Sequence, residues 1–267
     1  MSAGMRWGPK ALRAAPAVLG NAMPKSGSHL IIQVLQGLTR LGPFINPGFP
    51  PVNRSEDNSK LPDVSILGNI RRMRSGDIAY GYIQAKEPFI SALNAPERAT
   101  IFVYRDPRDM IVSHVFYATQ MHPGHGMHKY YNQELHSMEE RINAAIQGVE
   151  VPGAPLTPVK EKYEAYLGWL DEPQVLCLRF EDLILDRQVT LGKILDYLET
   201  RGFTPKASRL TAIATLEQAI IPKKSGTFRK GKPGNWQEHF TDQNKALFKE
   251  KTGDLLVRLG YVTGPEW

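Results

Sequence analysis

The residues of this chain best suited to chemistry lie in three short loops rich in cations, glycine and serine. The first loop reads PKSGSHL and runs from Pro24 to Leu30. Gly27 lets the backbone approach a ligand closely, the amides of residues 26–29 would face outward at a helix start, and Lys25 adds a mobile cation. It is not a Walker A loop, because that motif needs a glycine directly before the lysine and Pro24 stands there. The loop predicts a phosphate site, with a structural strand-to-helix turn as the alternative.

The second loop, residues 104–117, carries an arginine and a serine at a spacing that suits one anion. Arg105 would stand at a strand end, and Ser113 would lie on the helix that follows. The planar guanidinium can hold a phosphate with two parallel hydrogen bonds, and a serine hydroxyl can add a third. The alternative is a structural ion pair between Arg105 and Asp106 or Asp109.

The third loop reads SGTFRKGKPGNW and runs from Ser225 to Trp236. It holds three cations and three glycines without regular periodicity, and the next acid is Glu238. A merely solvated face would be expected to carry compensating acids, so this loop also indicates an anion site.

Composition limits the class of protein. The 267 residues carry 33 Lys and Arg against 27 Asp and Glu, a net charge of +6, which favours polyanionic or phosphorylated partners. The cations form short separate clusters rather than the stripe of a nucleic-acid binder. No apolar run approaches the roughly 18–20 residues of a membrane-spanning helix. The single cysteine, Cys177, fits a reducing compartment. We expect a cytoplasmic protein with no nucleic-acid partner and no membrane insertion.

The hydrophobic pattern supplies the elements that would position these loops. Near-continuous apolar runs predict strands at 17–23, 77–83, 99–104 and 174–180. Helical spacing alternates with them and predicts helices at 28–40, 108–120, 157–170, 183–199, 205–219 and 242–259. The pattern indicates an α/β protein, one domain over residues 1–267, with a central parallel sheet flanked by helices. Ligands then bind where strand carboxyl ends meet helix N-termini.

Two segments fall outside this alternation. They are residues 41–76 and 121–158, which contain many Pro, Gly and polar residues. We expect both segments to shape an acceptor pocket or lid, and we expect residues 41–62 to be irregular. Tyr163, Tyr166 and Trp169, spaced by three, are expected to be a core stripe rather than a substrate platform.

Together the three loops resemble the cytosolic-type sulfotransferases that use 3′-phosphoadenosine 5′-phosphosulfate (PAPS). PKSGSHL resembles the family's 5′-phosphosulfate loop, usually PKSGTTW. RDPRDMIVSHVFY resembles its 3′-phosphate motif, and FRKGKPGNW resembles its RKGxxGDW segment. Order and approximate spacing match from residue 24 to 236. The resemblance implies a P-loop NTPase-like sulfotransferase fold and sulfo transfer from PAPS to a hydroxyl or amine of a small molecule, with 3′,5′-ADP (PAP) as product.

The resemblance also implies which residues hold the donor. Around the 5′-phosphosulfate it places Lys25, Ser26, Gly27, Ser28 and His29. It assigns Arg105 and Ser113 to the 3′-phosphate. It also implies that four residues close over the donor: Phe228, Arg229, Lys230 and Gly231. Lys25 is the candidate to stabilise the charge on the leaving oxygen, and no metal is required. Thr215 and Leu216 stand where a Ser/Thr-Phe pair is common, which suggests that they help hold the adenine.

Two departures from the family concern the adenine, because Leu30 replaces a stacking tryptophan and Phe180 replaces a tyrosine. A third concerns the general base. The family has a histidine about twenty residues before the 3′-phosphate arginine, whereas Tyr82 stands there in this chain. A tyrosine with a pKa of about 10 would need that pKa lowered to act as a base, or it would orient the acceptor. His29, Glu87 and the histidines at 122, 125 and 128 are the other candidates.

The histidines at 122, 125 and 128 raise the alternative of a zinc site, because three-residue spacing on a helix would align them. Pro123, Gly124 and Gly126 disfavour that helix and favour a substrate lid. Two further classes stay open from sequence: a P-loop nucleotide kinase, and a nonenzymatic anion- or RNA-binding module. A homodimer is compatible with the sequence, although no feature specifies one.

Overall fold

The apolar runs form a four-stranded parallel sheet in the computed structural model, which describes residues 6–48, 51–224 and 231–267. The strand order is β2-β1-β3-β4, and every neighbouring pair is parallel. Both central strands are buried along their whole length, because helices or loops cover both faces of the sheet. The strands are β1 Ala17–Ala22, β2 Ile78–Gly81, β3 Arg98–Tyr104 and β4 Val175–Arg179.

Helices lie between successive strands and also before the first strand and after the last one. They are α1 Pro9–Ala14, α2 Ser28–Leu41, α3 Asp63–Arg72, α4 Phe89–Leu93, α5 Pro107–Phe116, α6 Met138–Gln147, α7 Val159–Leu167, α8 Phe180–Leu185, α9 Arg187–Thr200, α10 Arg209–Ala219, α11 Asp242–Thr252 and α12 Leu255–Arg258. Short π-helical turns span Tyr117–Met121 and Tyr130–Glu134. Short 3-10 turns span Gly168–Asp171, Pro222–Lys224 and Asn235–Glu238. No helix in the described ranges has the length and apolar character needed to cross a bilayer.

The described residues divide into two compact units. The first unit holds the sheet and comprises residues up to 104 together with 166–224. The second unit comprises residues 105–165 and 231–267. The predicted α/β class, with a central parallel sheet flanked by helices, is confirmed. That the whole chain forms one domain stays a prediction.

One face of the sheet packs against α2, α9 and α10. Val18, Ile101 and Val103 point to this side and are fully buried in the main hydrophobic core. Gly20 keeps α2 close to β1, because an added Cβ would lie 3.0 Å from the Leu35 side chain. The burial of this apolar surface stabilises the arrangement by roughly 25 cal/mol per Å².

The opposite face carries aromatic side chains. Phe102 of β3 stacks on Tyr166 at 6.2 Å between ring centroids, and Trp169 is fully buried. The expected core stripe is therefore confirmed for Tyr163, Tyr166 and Trp169, which are 0%, 7% and 0% exposed. Burial raises the pKa of Cys177 to about 12, so this thiol is inert at neutral pH.

The second unit is built on contacts among α5, α6 and α11. Thr241 caps α11 by accepting a hydrogen bond from the Asn244 amide. The Asn244 side chain in turn donates to the Asn143 side chain at 2.7 Å and to the Glu139 carbonyl at 3.1 Å.

Several element boundaries differ from prediction. The helix predicted at 183–199 starts at Phe180 and breaks at Asp186 into α8 and α9. The helix predicted at 242–259 breaks at Gly253, whose φ of 59° is left-handed. The helix predicted from 205 begins only after the Ser208 cap.

The two segments expected to shape an acceptor pocket or lid are partly helical. Helix α3 occupies the end of 41–76, whereas the described residues 42–48 and 51–62 are irregular, as predicted. Helix α6 and two π-helical turns occupy much of 117–147. The polar composition of these segments hid apolar positions such as Ile66 and Ile142, which are buried.

Candidate functional site

The loop after β1 is a tight turn that leads directly into α2. The Ser26 amide donates to the Met23 carbonyl at 3.1 Å, which closes a tight turn. Lys25 and Gly27 both take positive φ, 65° and 95°. Helix α2 then starts at Ser28 with no side-chain cap on its described first turn and no acid there. Amides at such a helix start lack partners within the helix and carry partial positive charge.

Ser26 adds a buried hydroxyl to this loop. Its side chain is 0% exposed, and its Oγ has no hydrogen-bond partner in the described chain. A buried polar group without a partner costs about 1–3 kcal/mol. An oxyanion in the loop would remove that cost, so the hydroxyl and the amides select the same kind of ligand.

Gly27 is held in place by an aromatic ring. An added Cβ at this position would lie 2.5 Å from Cδ2 of Phe180, the first residue of α8. Phe180 is 7% exposed and belongs to the main core. The ring that replaces the family's tyrosine therefore packs directly under the predicted donor loop.

The structure brings Tyr82 to this loop. The Tyr82 hydroxyl donates to the Ser28 Oγ at 3.0 Å. The Tyr82 ring also meets Tyr80 edge to face, with 6.5 Å between centroids. Ser28 thus belongs to both the helix start and the contact with Tyr82.

His29 faces a different feature of the first unit. Its side chain lines a cavity of about 280 Å³ that runs along α2 to the end of α10. The wall is completed by Ile32, Gln33, Gln36, Arg40, Ala219 and Ile221. Partial burial and, to a smaller extent, Lys25 lower the pKa of His29, so its ring is neutral at neutral pH.

The two predicted adenine contacts on α10 have different surroundings. Thr215 is partly exposed, and its hydroxyl donates to the Thr211 carbonyl at 2.8 Å within the same helix. Leu216 is fully buried in the core. Only the Thr215 methyl group is therefore left for an apolar contact from this pair.

In the second unit, Arg105 lies two residues before α5 and Ser113 lies within it. Arg105 directly follows β3 and is 9% exposed. It forms an ion pair with Asp109 at 3.7 Å, and its carbonyl accepts from the Tyr163 hydroxyl at 2.8 Å. Ser113 lies one helical turn beyond Asp109 and is partly buried. The residue spacing of four aligns Asp109 with Ser113. The structural ion pair and the predicted anion site therefore involve the same arginine.

Asp109 also holds the end of the third loop. Its carboxylate accepts from the Gly234 amide and the Trp236 amide, both at 2.8 Å. Burial raises the pKa of Asp109, while Arg105 and the two amides oppose that rise. Gly231 has a left-handed φ of 61°. The predicted contacts Phe228, Arg229 and Lys230 lie outside the described residues.

The sequence reasoning missed the role of Arg108. Its guanidinium forms a two-pronged pair with Asp106, with an Nη2 to Oδ2 distance of 2.7 Å. It also lies 4.0 Å from the Trp236 ring centroid and 4.5 Å from that of Trp267. Arg108 is therefore a structural residue of the second unit. The sequence signal that could have indicated this ion pair is the repeated arginine and aspartate of RDPRD, residues 105–109.

The remaining base candidates have other contacts. The Glu87 carboxylate accepts from the Ser91 hydroxyl at 2.9 Å in the first turn of α4. The His125 Nδ1 accepts from the Met127 amide, and the His128 Nδ1 lies 2.7 Å from the Ala118 carbonyl. Within the described ranges no group of three or more His, Cys, Asp or Glu has metal-binding geometry.

Comparison with known proteins gives the class to which this fold and these loops belong. Residues 87–260 match the family model of the sulfotransferase domain. This match covers more than half of the chain, so the chain belongs to the sulfotransferase family. The matched region begins after the first loop and Tyr82.

Individual relatives agree with this family. Human sulfotransferase 2A1 is 26% identical over 176 residues, which cover 58% of this chain and 56% of the relative. Flavonol 3-sulfotransferase of Flaveria bidentis is 25% identical over 170 residues, 54% of this chain and 50% of the relative. The chain thus spans about half the length of these curated relatives.

Solved structures share the fold. A mouse sulfotransferase, SULT7A1, complexed with PAP superposes with a TM-score of 0.56 at 19% identity, over 92% of this chain and 87% of that one. A retinol dehydratase in complex with retinol and PAP gives a TM-score of 0.58 at 16% identity, over 92% and 83% of the two chains.

Proposed function

We propose that this protein transfers a sulfo group from PAPS to a small-molecule acceptor and releases PAP. The observation that carries the proposal is the first loop, where an uncapped helix start meets a buried Ser26 hydroxyl without a partner. In the reaction, the acceptor oxygen or nitrogen forms a bond to sulfur while the bond from sulfur to the bridging oxygen of the donor breaks. The acceptor proton leaves to a base or to solvent.

The first loop would bind the 5′ end of the donor. Lys25 would stabilise the negative charge that develops on the bridging oxygen, while the loop amides and the hydroxyls of Ser26 and Ser28 hold the sulfo and phosphate oxygens. Gly27 and His29 complete the loop. In a loose in-line displacement, catalysis comes mainly from such positioning and electrostatic stabilisation. We propose no metal for this step, because lysine and amides supply the positive charge.

The second unit would bind the 3′-phosphate through Arg105 and Ser113. The four-residue turn between Asp109 and Ser113 supports this role, because it aligns the serine with the ion pair of Arg105. Gly231 would close over the donor together with Phe228, Arg229 and Lys230. Thr215 would contact the adenine.

Tyr82 would act on the acceptor side. Its hydroxyl bonds to Ser28, a residue of the proposed donor loop, which supports a place near the transferred group. We expect Tyr82→Phe to lower kcat by about 10–100-fold, the range of a lost positioning or proton-transfer contact. Wild-type kcat across neutral pH in this variant would exclude the Tyr82 hydroxyl from the mechanism.

Ligand titration separates this proposal from its alternatives. Isothermal titration of the intact protein with PAP, ATP and a short oligonucleotide should show the tightest binding for PAP. Preference for ATP would indicate a nucleotide kinase, and preference for the oligonucleotide would indicate a nonenzymatic binding module. Either preference would refute the proposal.

Product analysis tests the chemistry directly. Incubation with PAPS and a library of phenols, alcohols, sugars and amines should yield an acceptor heavier by one sulfo group, with PAP released in equal amount. Release of PAP without a sulfated product would mean hydrolysis rather than transfer. Cytoplasmic residence and a homodimer remain predictions, to be checked by cell fractionation and analytical ultracentrifugation.

A further inference from the structure

Tyr82 lies just beyond the end of its strand, where the sheet no longer holds it. Strand β2 ends at Gly81, and its last pairing with β1 joins Gly81 to Asn21. Tyr82 and Ile83 follow outside the ladder. Their backbone groups nevertheless have partners, and two buried asparagine side chains supply most of them.

Asn21 holds Ile83. This side chain at the end of β1 is 0% exposed. Its Nδ2 donates to the Ile83 carbonyl at 2.9 Å, and its Oδ1 accepts from the Ile83 amide at 2.8 Å. The Trp169 Nε1 also donates to the Ile83 carbonyl at 2.8 Å.

Asn53 holds Tyr82 in the same manner. Its Nδ2 donates to the Tyr82 carbonyl at 3.0 Å, and its Oδ1 accepts from the Tyr82 amide at 3.0 Å. Asn53 is 4% exposed. Its own carbonyl accepts from the Leu61 amide at 3.1 Å, and the preceding Val52 amide donates to the Tyr80 carbonyl at 2.9 Å. The irregular segment before α3 is thereby attached to the open edge of the sheet.

Each asparagine imitates one rung of a β-ladder. An amide side chain presents one donor and one acceptor, which match the carbonyl and the amide of one backbone residue. Aspartate lacks the donor, and alanine lacks both groups. Because buried backbone groups without partners are costly, the two side chains fix the path of residues 82–83. That path carries the Tyr82 hydroxyl to Ser28.

We propose that Asn21 and Asn53 are positioning residues that hold the Tyr82 hydroxyl at the start of α2. This inference rests on the proposed function, because it concerns a residue assigned to the acceptor side of that reaction. Asn53 binds Tyr82 itself and is the better residue to test. Asn21 belongs to the buried strand β1, which lies between β2 and β3, so its replacement would also destabilise the sheet.

A double-mutant cycle tests whether Asn53 acts through Tyr82. We expect Asn53→Ala to lower kcat by about 10–100-fold, because small misplacements of a reacting geometry have effects of that size. In the Tyr82→Phe background the same change should alter kcat by no more than about twofold, the scatter expected for independent sites. PAP affinity should change little. Equal losses of kcat in both backgrounds would overturn the proposal.

A further variant guards against a trivial loss of folding. Asn244→Ala removes another fully buried asparagine, which holds α6 and α11 of the second unit. We expect this control to lower Tm without lowering kcat. A loss of kcat in Asn244→Ala equal to that in Asn53→Ala would mean that general destabilisation explains both.

Amide hydrogen exchange tests the positioning without any activity. In Asn53→Ala the Tyr82 amide loses its acceptor and should exchange faster, while the Ile83 amide, which donates to Asn21, and the amides of β1 keep their wild-type protection. Unchanged exchange at Tyr82 would refute the positioning role. If the wild-type protein transfers no sulfo group, the proposed function fails, and the exchange result still decides whether Asn53 holds Tyr82.

Discussion

Replacement of Gly27 by alanine tests how the donor loop is built. The structure gives two separate costs for Gly27→Ala. The φ of 95° is strained for any residue with a Cβ, at about 1–3 kcal/mol. The new Cβ would also lie 2.5 Å from the buried ring of Phe180, and overpacking of this kind costs typically about 1–3 kcal/mol. The ring is confined by the core, so the loop must move.

A control glycine separates the two costs. Gly253 has a φ of 59°, and a Cβ added there would meet nothing within 4 Å. Gly253→Ala therefore carries strain without overlap. At roughly 2–4 °C of Tm per kcal/mol, Gly253→Ala should lower Tm by a few degrees and Gly27→Ala by about twice as much. Only Gly27→Ala should weaken PAP binding, by more than about tenfold.

A second background checks the origin of the overlap. In Phe180→Leu the smaller side chain leaves room for the new Cβ, so Gly27→Ala should there cost no more than Gly253→Ala. Thermal unfolding followed by circular dichroism and titration with PAP measure both effects. Equal loss of Tm in Gly27→Ala and Gly253→Ala, with wild-type PAP affinity, would refute this account of the loop.

Three further outcomes are expected. Lys25→Ala should lower kcat by about 10²–10³-fold, the cost of one lost oxyanion donor, and near wild-type kcat would contradict its role. Arg105→Ala should weaken PAP binding by about 10–150-fold, the value of a charge-assisted hydrogen bond, whereas Arg209→Ala, an exposed ion-pair control, should not. Burial lowers the pKa of Lys162 to about 8. Its charged form is therefore disfavoured in the fold, and Lys162→Met should stabilise the protein by about 1–3 kcal/mol below pH 8. That gain should vanish as pH rises from 8 to about 10.5, where the unfolded lysine also loses its proton, and a constant gain would contradict the shift.

Local pattern was sufficient for the sheet and for α2. Residues 17–22 and 98–104 are buried along their whole length, and such strands contain few polar positions, which makes them visible in sequence. The apolar face of α2 repeats with helical spacing, so its bounds of Ser28–Leu41 lie within a residue of the prediction. The order of motifs and strands along the chain then predicted that the first loop follows β1 and the second loop follows β3.

Local pattern was insufficient where single residues interrupt an element. The spacing of apolar positions continues through Asp186 and Gly253, although each ends a helix. At Gly253 the left-handed backbone costs glycine little, so the break leaves no mark on the hydrophobic pattern. In the same way, Ile66 and Ile142 lie in segments whose average composition is polar.

The sequence by itself determined the class of the fold and predicted the kind of ligand, because motif residues such as Lys25 and Arg105 lie in short stretches with local spacing. Only the tertiary structure decided how Tyr82 is held. Asn21 and Asn53 lie 62 and 29 residues from their partners, and an isolated asparagine in sequence has no preferred role. Their hydrogen bonds exist because the fold brings the end of β1 and the irregular segment 51–62 to residues 82–83, where an unpaired backbone requires partners.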